Sequence, residues 1–230
     1  MISQEQLVLL PLWYAVFLMA ITFHEAAHAM VAYRFGDPTA YHGGQVSLNP
    51  LPHIAREPFG TVLVPLLTYV LMGWTMGWAS APYDPEWERR NPRRAAAMAA
   101  AGPLANLLLA VIAFAVLKVG LAQGLWTVPL APQFDHLVTA ASPGGAAEGL
   151  GRFLSVMLGL NLLLFVFNLI PFPPLDGGAV AAGLWESVRR LHDRMRASGM
   201  GNLIGLLLAW MIVRRLFMPV LRTAVAWLYA

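Results

Sequence analysis

Residues 7–23, 58–82, 95–117, 153–175 and 199–213 each pass without one charged side chain. Runs of this length approach or exceed the roughly 20 apolar residues that one helical crossing of a bilayer needs. The composition agrees: 58% of the 230 residues are hydrophobic and only 12% are charged, about half the charge of an ordinary soluble domain. The expected class is an all-α polytopic membrane protein with about five to six membrane segments, leaving room for a re-entrant hairpin or a small membrane-associated β element. Nothing remains for a separate soluble domain of typical size. One membrane-embedded domain over 1–230 is expected, with its core at 7–195 and C-terminal membrane helices within 199–230.

Charge is sparse and grouped. Fourteen of the fifteen basic residues are Arg, clustered between apolar runs, where helix ends meet lipid headgroups and act as topology signals. The lipid bilayer, and not nucleic acid, is therefore the expected environment and partner. The first run lacks a basic leader and a small-residue cleavage site, so it reads as part of the mature protein. The eight Trp residues read as interfacial anchors. The absence of cysteine removes disulfides, thiolate nucleophiles and Cys-based metal sites, leaving His, Asp, Glu and backbone for any chemistry.

Two segments interrupt the pattern. The loop from Tyr41 to Arg56 is too rich in Gly, Pro and polar residues to cross, and His42–Leu48 within it reads as a short hairpin or edge strand. Residues 58–82, broken by Gly60, Pro65, Gly73 and Gly77, either span or form a re-entrant hairpin. If they span, the Arg89–Arg94 and Arg189–Arg196 clusters fall on the side of the N-terminus. If they re-enter, the clusters join the loop after the first helix and the N-terminus faces out. The apolar run at 216–230, interrupted by Arg222, reads as weaker than 199–213.

The chemistry concentrates at two places. His24-Glu25-x-x-His28 puts two imidazoles four residues apart, on one face of a helix and about one turn from each other, where they can grip one ion. Glu25, beside the first of them, can reach a water at that ion. Ionisable residues inside an apolar helix are expensive unless they pair or bind metal; two histidines packed against a neighbouring helix are the plainer alternative. A catalytic zinc takes three protein ligands and one open position, and without Cys the third ligand is another His, an Asp or a Glu. Asp176 is the one other acidic residue in an apolar, helix-broken stretch, behind Pro171, Pro173 and Pro174 and ahead of Gly177-Gly178. Its alternative role is a helix N-cap. His42, His53, His136 and His192 lie in loops or at helix ends, where a solvated or interfacial imidazole is the default.

His24-Glu25-x-x-His28 on a membrane helix, followed downstream by Asn168-x-x-Pro171-x-x-x-Leu175-Asp176-Gly177, resembles the site-2 protease family of intramembrane zinc metalloproteases. The helix carrying Gly102-Pro103-x-x-Asn106 is similar to that family's central element. Leu48-Asn49-Pro50-Leu51-Pro52-His53 and Gly77-Trp78-Ala79 resemble its compact subgroup without a large regulatory domain. One departure is visible: that subgroup tends to carry Asp-Pro soon after the His, where this chain has Ala55-Arg56-Glu57-Pro58.

The resemblance implies that His24, His28 and Asp176 hold one Zn2+ per chain and that Glu25 is the catalytic base. It implies a hydrolase cutting peptide bonds within or near transmembrane segments of a protein substrate; the apolar runs give a multi-pass position in the cell membrane, and the chain's size and compactness point to a prokaryotic one. Asn168 would donate to the substrate or the developing oxyanion, or else bond a neighbouring helix. Asn106 with Gly102 fits close helix packing near the site, with a catalytic role as the alternative. Two competing readings are a zinc-binding membrane protein without catalysis, which would not need Glu25, and a metal transporter, which would favour several ligand clusters along a pore. Oligomeric state is not readable from the sequence.

Overall fold

The computed structural model describes residues 3–142, 144–197 and 199–230. Helix α1 (Gln4–Arg34) opens on a capping box, in which the Ser3 hydroxyl accepts from the Gln6 backbone and the Gln6 side chain accepts from Ser3 N–H. This pairing satisfies helix-start donors that would otherwise be unpaired. Helices α2 (Thr39–His42) and α3 (Pro50–Arg56) follow outside the apolar run, with Asn49 capping α3.

The expected strand at His42–Leu48 is corrected by the structure. Tyr41 and His42 end α2, and the residues after them form turns around Gly44, whose φ is +72°. The glycines that suggested a hairpin instead close a helical turn, because the Gln45 side chain ties the segment to the Ser80 carbonyl.

The chain then enters a π-helical turn (Phe59–Leu63) and α4 (Val64–Met72), reverses at Gly73 with φ +80°, and returns without regular structure. Trp78 N–H donates to Gly60 O at 3.1 Å, and the Ser80 hydroxyl donates to the Glu57 carboxylate at 2.7 Å. The segment therefore comes back beside its own beginning. A Cβ on Gly60 would stand 2.3 Å from Trp78 O, and one on Gly77 2.2 Å from Gly60 O, so both positions require glycine for the two limbs to touch. Residues 58–82 thus turn back on themselves as a hairpin; α3 and the helical limb Phe59–Met72 meet at 113°, a bend that belongs either to a broken span or to a re-entrant loop.

Helix α5 (Pro85–Arg90) leads into α6 (Pro92–Ala122), which runs antiparallel to α1. Their shared end is tied by Trp87 Nε1–H to Phe35 O at 3.1 Å and Asp84 N–H to the Asp37 carboxylate at 2.8 Å. Two short strands, β1 (Trp126–Thr127) and β2 (Thr139–Ala140), pair antiparallel in the connector that follows. Helix α7 (Ala146–Asn168) returns parallel to α1, held at its start by Arg152 against Asp135 (3.3 Å) and Glu5 (3.5 Å). A Pro-rich loop then gives α8 (Asp176–Leu184), α9 (Glu186–Ala197) and α10 (Gly201–Tyr229). The apolar runs at 199–213 and 216–230 are thus one continuous helix. It packs through Ala209, Val213, Phe217 and Leu221 at four-residue spacing.

Among the described residues, four helices, α1, α6, α7 and α10, are long and apolar enough to cross a membrane, or five spans if the bent α3–α4 pair counts as one. The protein is a polytopic helical membrane protein with a small β element. Its core is made by Trp13, Val16 and Phe17 of α1, Leu117 of α6 and Leu154, Leu158 and Leu160 of α7. Leu104, Leu108, Val111 and Ile112 of α6 face outward, as expected where the solvent is lipid. Trp13, Trp87 and Trp126 are buried, a correction to their expected place at the interface. Trp126 fills the space left by the missing side chains of Gly120 and Gly151.

Candidate metal centre

His24, Glu25 and His28 lie ten to six residues before the C-terminal end of α1, so the first turn of the site is about 15 Å inside the bundle. All three are buried, and their ligand atoms lie within 4.8 Å of one another. The two imidazoles meet edge to face with ring centres 4.6 Å apart. Asp176, the first residue of α8, places its carboxylate against both: Oδ2 is 3.0 Å from His24 Nε2 and Oδ1 is 3.4 Å from His28 Nε2. The N-cap position of α8 belongs to Leu175, so the capping role considered for Asp176 is not the one it has.

The outward nitrogens decide the protonation of the rings. His28 Nδ1 lies 2.8 Å from the Met98 carbonyl, which only accepts, so Nδ1 carries the proton. His24 Nδ1 lies 2.6 Å from Asn106 Oδ1, and the same carboxamide spends its N–H groups on Ala20 O and Asn161 Oδ1. The bonding pattern makes Oδ1 the acceptor there too. In the neutral rings, whose one proton is on Nδ1, both Nε2 atoms turn lone pairs toward the carboxylate, and Asp176 Oδ2 is buried without a hydrogen-bond donor; a second proton on Nε2 would make a His–Asp ion pair in place of a metal site.

Three electron-rich donors facing one another are unfavourable unless a cation sits among them. Ligands about 2.0–2.1 Å from a tetrahedral zinc stand about 3.3 Å apart, close to the 3.0 and 3.4 Å found here. Space is reserved as well. A Cβ on Gly102 of α6 would stand 2.3 Å from His28 Nε2 and 2.5 Å from His24 Nε2. The residues present fit zinc, with the more open approach on the side of Asp176, whose side chain is 21% exposed against 9% for His24 and 10% for His28.

Asn168 is the last residue of α7, half-buried, and outside the contacts of this cluster. His53 and His192 differ from the solvated state expected of them, being 0% and 3% exposed. His53 is held by the Ser47 carbonyl at 3.1 Å, because α3 folds back over the loop that precedes it. Sequence reasoning missed Asn161, which supports Asn106. A polar side chain within an apolar run was its available signal.

A polytopic helical bundle with a buried His/Glu/His centre that can hold one zinc ion is the class defined by this fold and site. Residues 13–212 match the profile of Peptidase family M50, and the chain belongs to that family of zinc metalloproteases. It is 38% identical over 170 residues to "Putative zinc metalloprotease YwhC" of Bacillus subtilis, covering 74% of this chain and 67% of that protein. It is 31% identical over 178 residues to "Putative zinc metalloprotease Rip2" of Mycolicibacterium smegmatis, covering 76% of this chain and 58% of the relative. The corresponding protein of Mycobacterium tuberculosis is 32% identical over 165 residues, 72% of this chain and 54% of its own length. The chain thus spans between about half and two thirds of these relatives. No solved structure matches it.

Proposed function

We propose that this protein hydrolyses peptide bonds within or next to transmembrane segments of other membrane proteins, with His24, His28 and Asp176 as the zinc ligands. The observation that carries the reading is the convergence of two imidazole Nε2 atoms on the Asp176 carboxylate in the interior of a membrane-spanning bundle. A zinc ion held there supplies Lewis acidity, acidifying water and polarising a peptide carbonyl. Glu25 accepts the proton of the attacking water and returns it to the leaving amine. Asn168, through its carboxamide N–H, donates to the substrate carbonyl oxygen as negative charge develops there.

Arg34, Arg56, the Arg89–Arg94 cluster and Arg189–Arg194 gather at the end of the bundle where α1 finishes and α6 begins. The excess of Arg over the opposite end, which carries Lys118, Arg152 and, on the last turns of α10, Arg222, supports a cytoplasmic location for it. The N-terminus then faces out and the metal centre opens toward the cytoplasm. These residues all lie in one membrane-embedded domain over 1–230.

The test is reconstitution with a single-pass model substrate in liposomes. Cleavage should stop with a zinc chelator, return with added zinc, and map by mass spectrometry inside or beside the substrate's apolar segment. Cuts confined to soluble loops would exclude the intramembrane reading. Asn168→Ala should lower the cleavage rate about 100-fold while zinc content stays at one per chain; an unchanged rate would remove Asn168 from the mechanism.

A further inference from the structure

Three helices meet at a buried chain of amides behind His24. Asn106 on α6 and Asn161 on α7 are both 0% exposed. His24 Nδ1 lies 2.6 Å from Asn106 Oδ1, Asn106 Nδ2 donates to Asn161 Oδ1 at 2.9 Å and to Ala20 O at 3.1 Å. Asn161 Nδ2 in turn donates to the Met157 carbonyl at 2.9 Å and approaches Met157 Sδ at 3.1 Å. We propose that Asn161 is a positioning residue for the metal centre: it fixes which way the Asn106 carboxamide points, and through it the tautomer and direction of His24. The proposal rests on reading His24 as a zinc ligand.

The two faces of a carboxamide are nearly the same shape and opposite in polarity, so the protein must specify its direction by what surrounds it. Asn161 cannot turn over without placing its carbonyl oxygen against the Met157 carbonyl. With its own oxygen thus fixed toward α6, it demands an N–H from Asn106. The Ala20 carbonyl makes the same demand from α1. Asn106 is left with its oxygen toward His24, where it accepts from Nδ1–H and leaves Nε2 free to ligate. Without Asn161, one of the two groups holding the amide is gone, and the flipped amide would offer His24 a donor, favouring the tautomer with its proton on Nε2. Groups that hold a metal-ligating histidine from behind in this way are typically worth 10- to 100-fold in metal affinity.

Zinc affinity of the full-length protein in detergent, by competition with a chromophoric chelator, tests the inference. Asn161→Leu should weaken zinc binding about 10- to 100-fold and move the visible absorption bands of the cobalt-loaded protein, which report ligand geometry. Asn161→Ala should do the same if the leucine does not fit. Ser155→Ala is the control for a purely structural bond on the same helix: Ser155 is fully buried and links Leu137 N–H to the Gly151 carbonyl. It should lower thermal stability and leave zinc affinity unchanged.

The sharper outcome is a double-variant cycle. In Asn106→Ala there is no carboxamide left to orient, so Asn161 has nothing through which to reach His24. There, Asn161→Leu should change zinc affinity less than 3-fold. Equal losses in both backgrounds, or no loss in the first, would overturn the proposal. Full zinc affinity in His24→Ala would instead overturn the metal-site reading on which it rests.

Discussion

Replacing Gly102 with alanine would put a methyl carbon 2.3 Å from His28 Nε2 and 2.5 Å from His24 Nε2, inside the space where the donors converge. Gly102→Ala should cost more than the roughly 100-fold in zinc affinity seen when supporting groups are lost, with helical content by circular dichroism unchanged. Normal zinc content in that variant would mean the ion sits elsewhere. The one-turn spacing of His24 and His28 was legible because a helix repeats on a fixed period. The requirement at Gly102 was not, since it arises only when α6 crosses α1 at this point. The same holds for His28, whose partner is the backbone carbonyl of Met98, a group that sequence composition does not mark. Asp176 was legible by its odd location, but that its carboxylate meets both imidazoles while Leu175 takes the cap position depends on how the loop before it folds.

Among the elements, the hairpin at 58–82 carries a direct test because the natural chain has no cysteine. Ala55→Cys and Ala81→Cys, made singly, should both react with a membrane-impermeant thiol reagent from the same side of sealed vesicles. Labelling from opposite sides would make 58–82 a crossing. Glycines and prolines signalled a break in this segment, but charge alone left two topologies open. Contacts such as Trp78 with Gly60 join residues across the turn, and the labelling experiment decides where that turn lies in the membrane.

The joint between α1 and α5 is also specific. Burial alone would raise the pKa of Asp37, yet bonds from the Thr39 hydroxyl, Asp84 N–H and Thr39 N–H outweigh it and hold the carboxyl below its ordinary value. A lowered folded-state pKa contributes stability above the unfolded value of about 3.9 that disappears as pH falls through the folded one. Asp37→Ala should therefore cost about 1.5–3 kcal/mol at neutral pH. Measured by unfolding in detergent, its gap to wild type should narrow below about pH 4; a gap independent of pH would contradict the assignment.

For the whole molecule, apolar run lengths correctly gave a polytopic helical protein, and the uninterrupted runs of α1, α6 and α7 were each read as crossings. The C-terminal region was read as two runs because Arg214 and Arg215 interrupt it, whereas packing through Val213 and Phe217 keeps α10 continuous. The paired strands in the connector gave no comparable signal, being two residues each. The central claim joins these scales: one zinc centre, assembled from α1 and α8 inside the bundle, performs peptide hydrolysis. It is tested most directly by measuring zinc content and cleavage of a model transmembrane substrate on the same purified samples of wild type, Glu25→Gln and Asp176→Ala. The account predicts one zinc and cleavage in wild type, one zinc without cleavage in Glu25→Gln, and loss of both in Asp176→Ala. Wild-type cleavage by Glu25→Gln, or full zinc retention by Asp176→Ala, would contradict it.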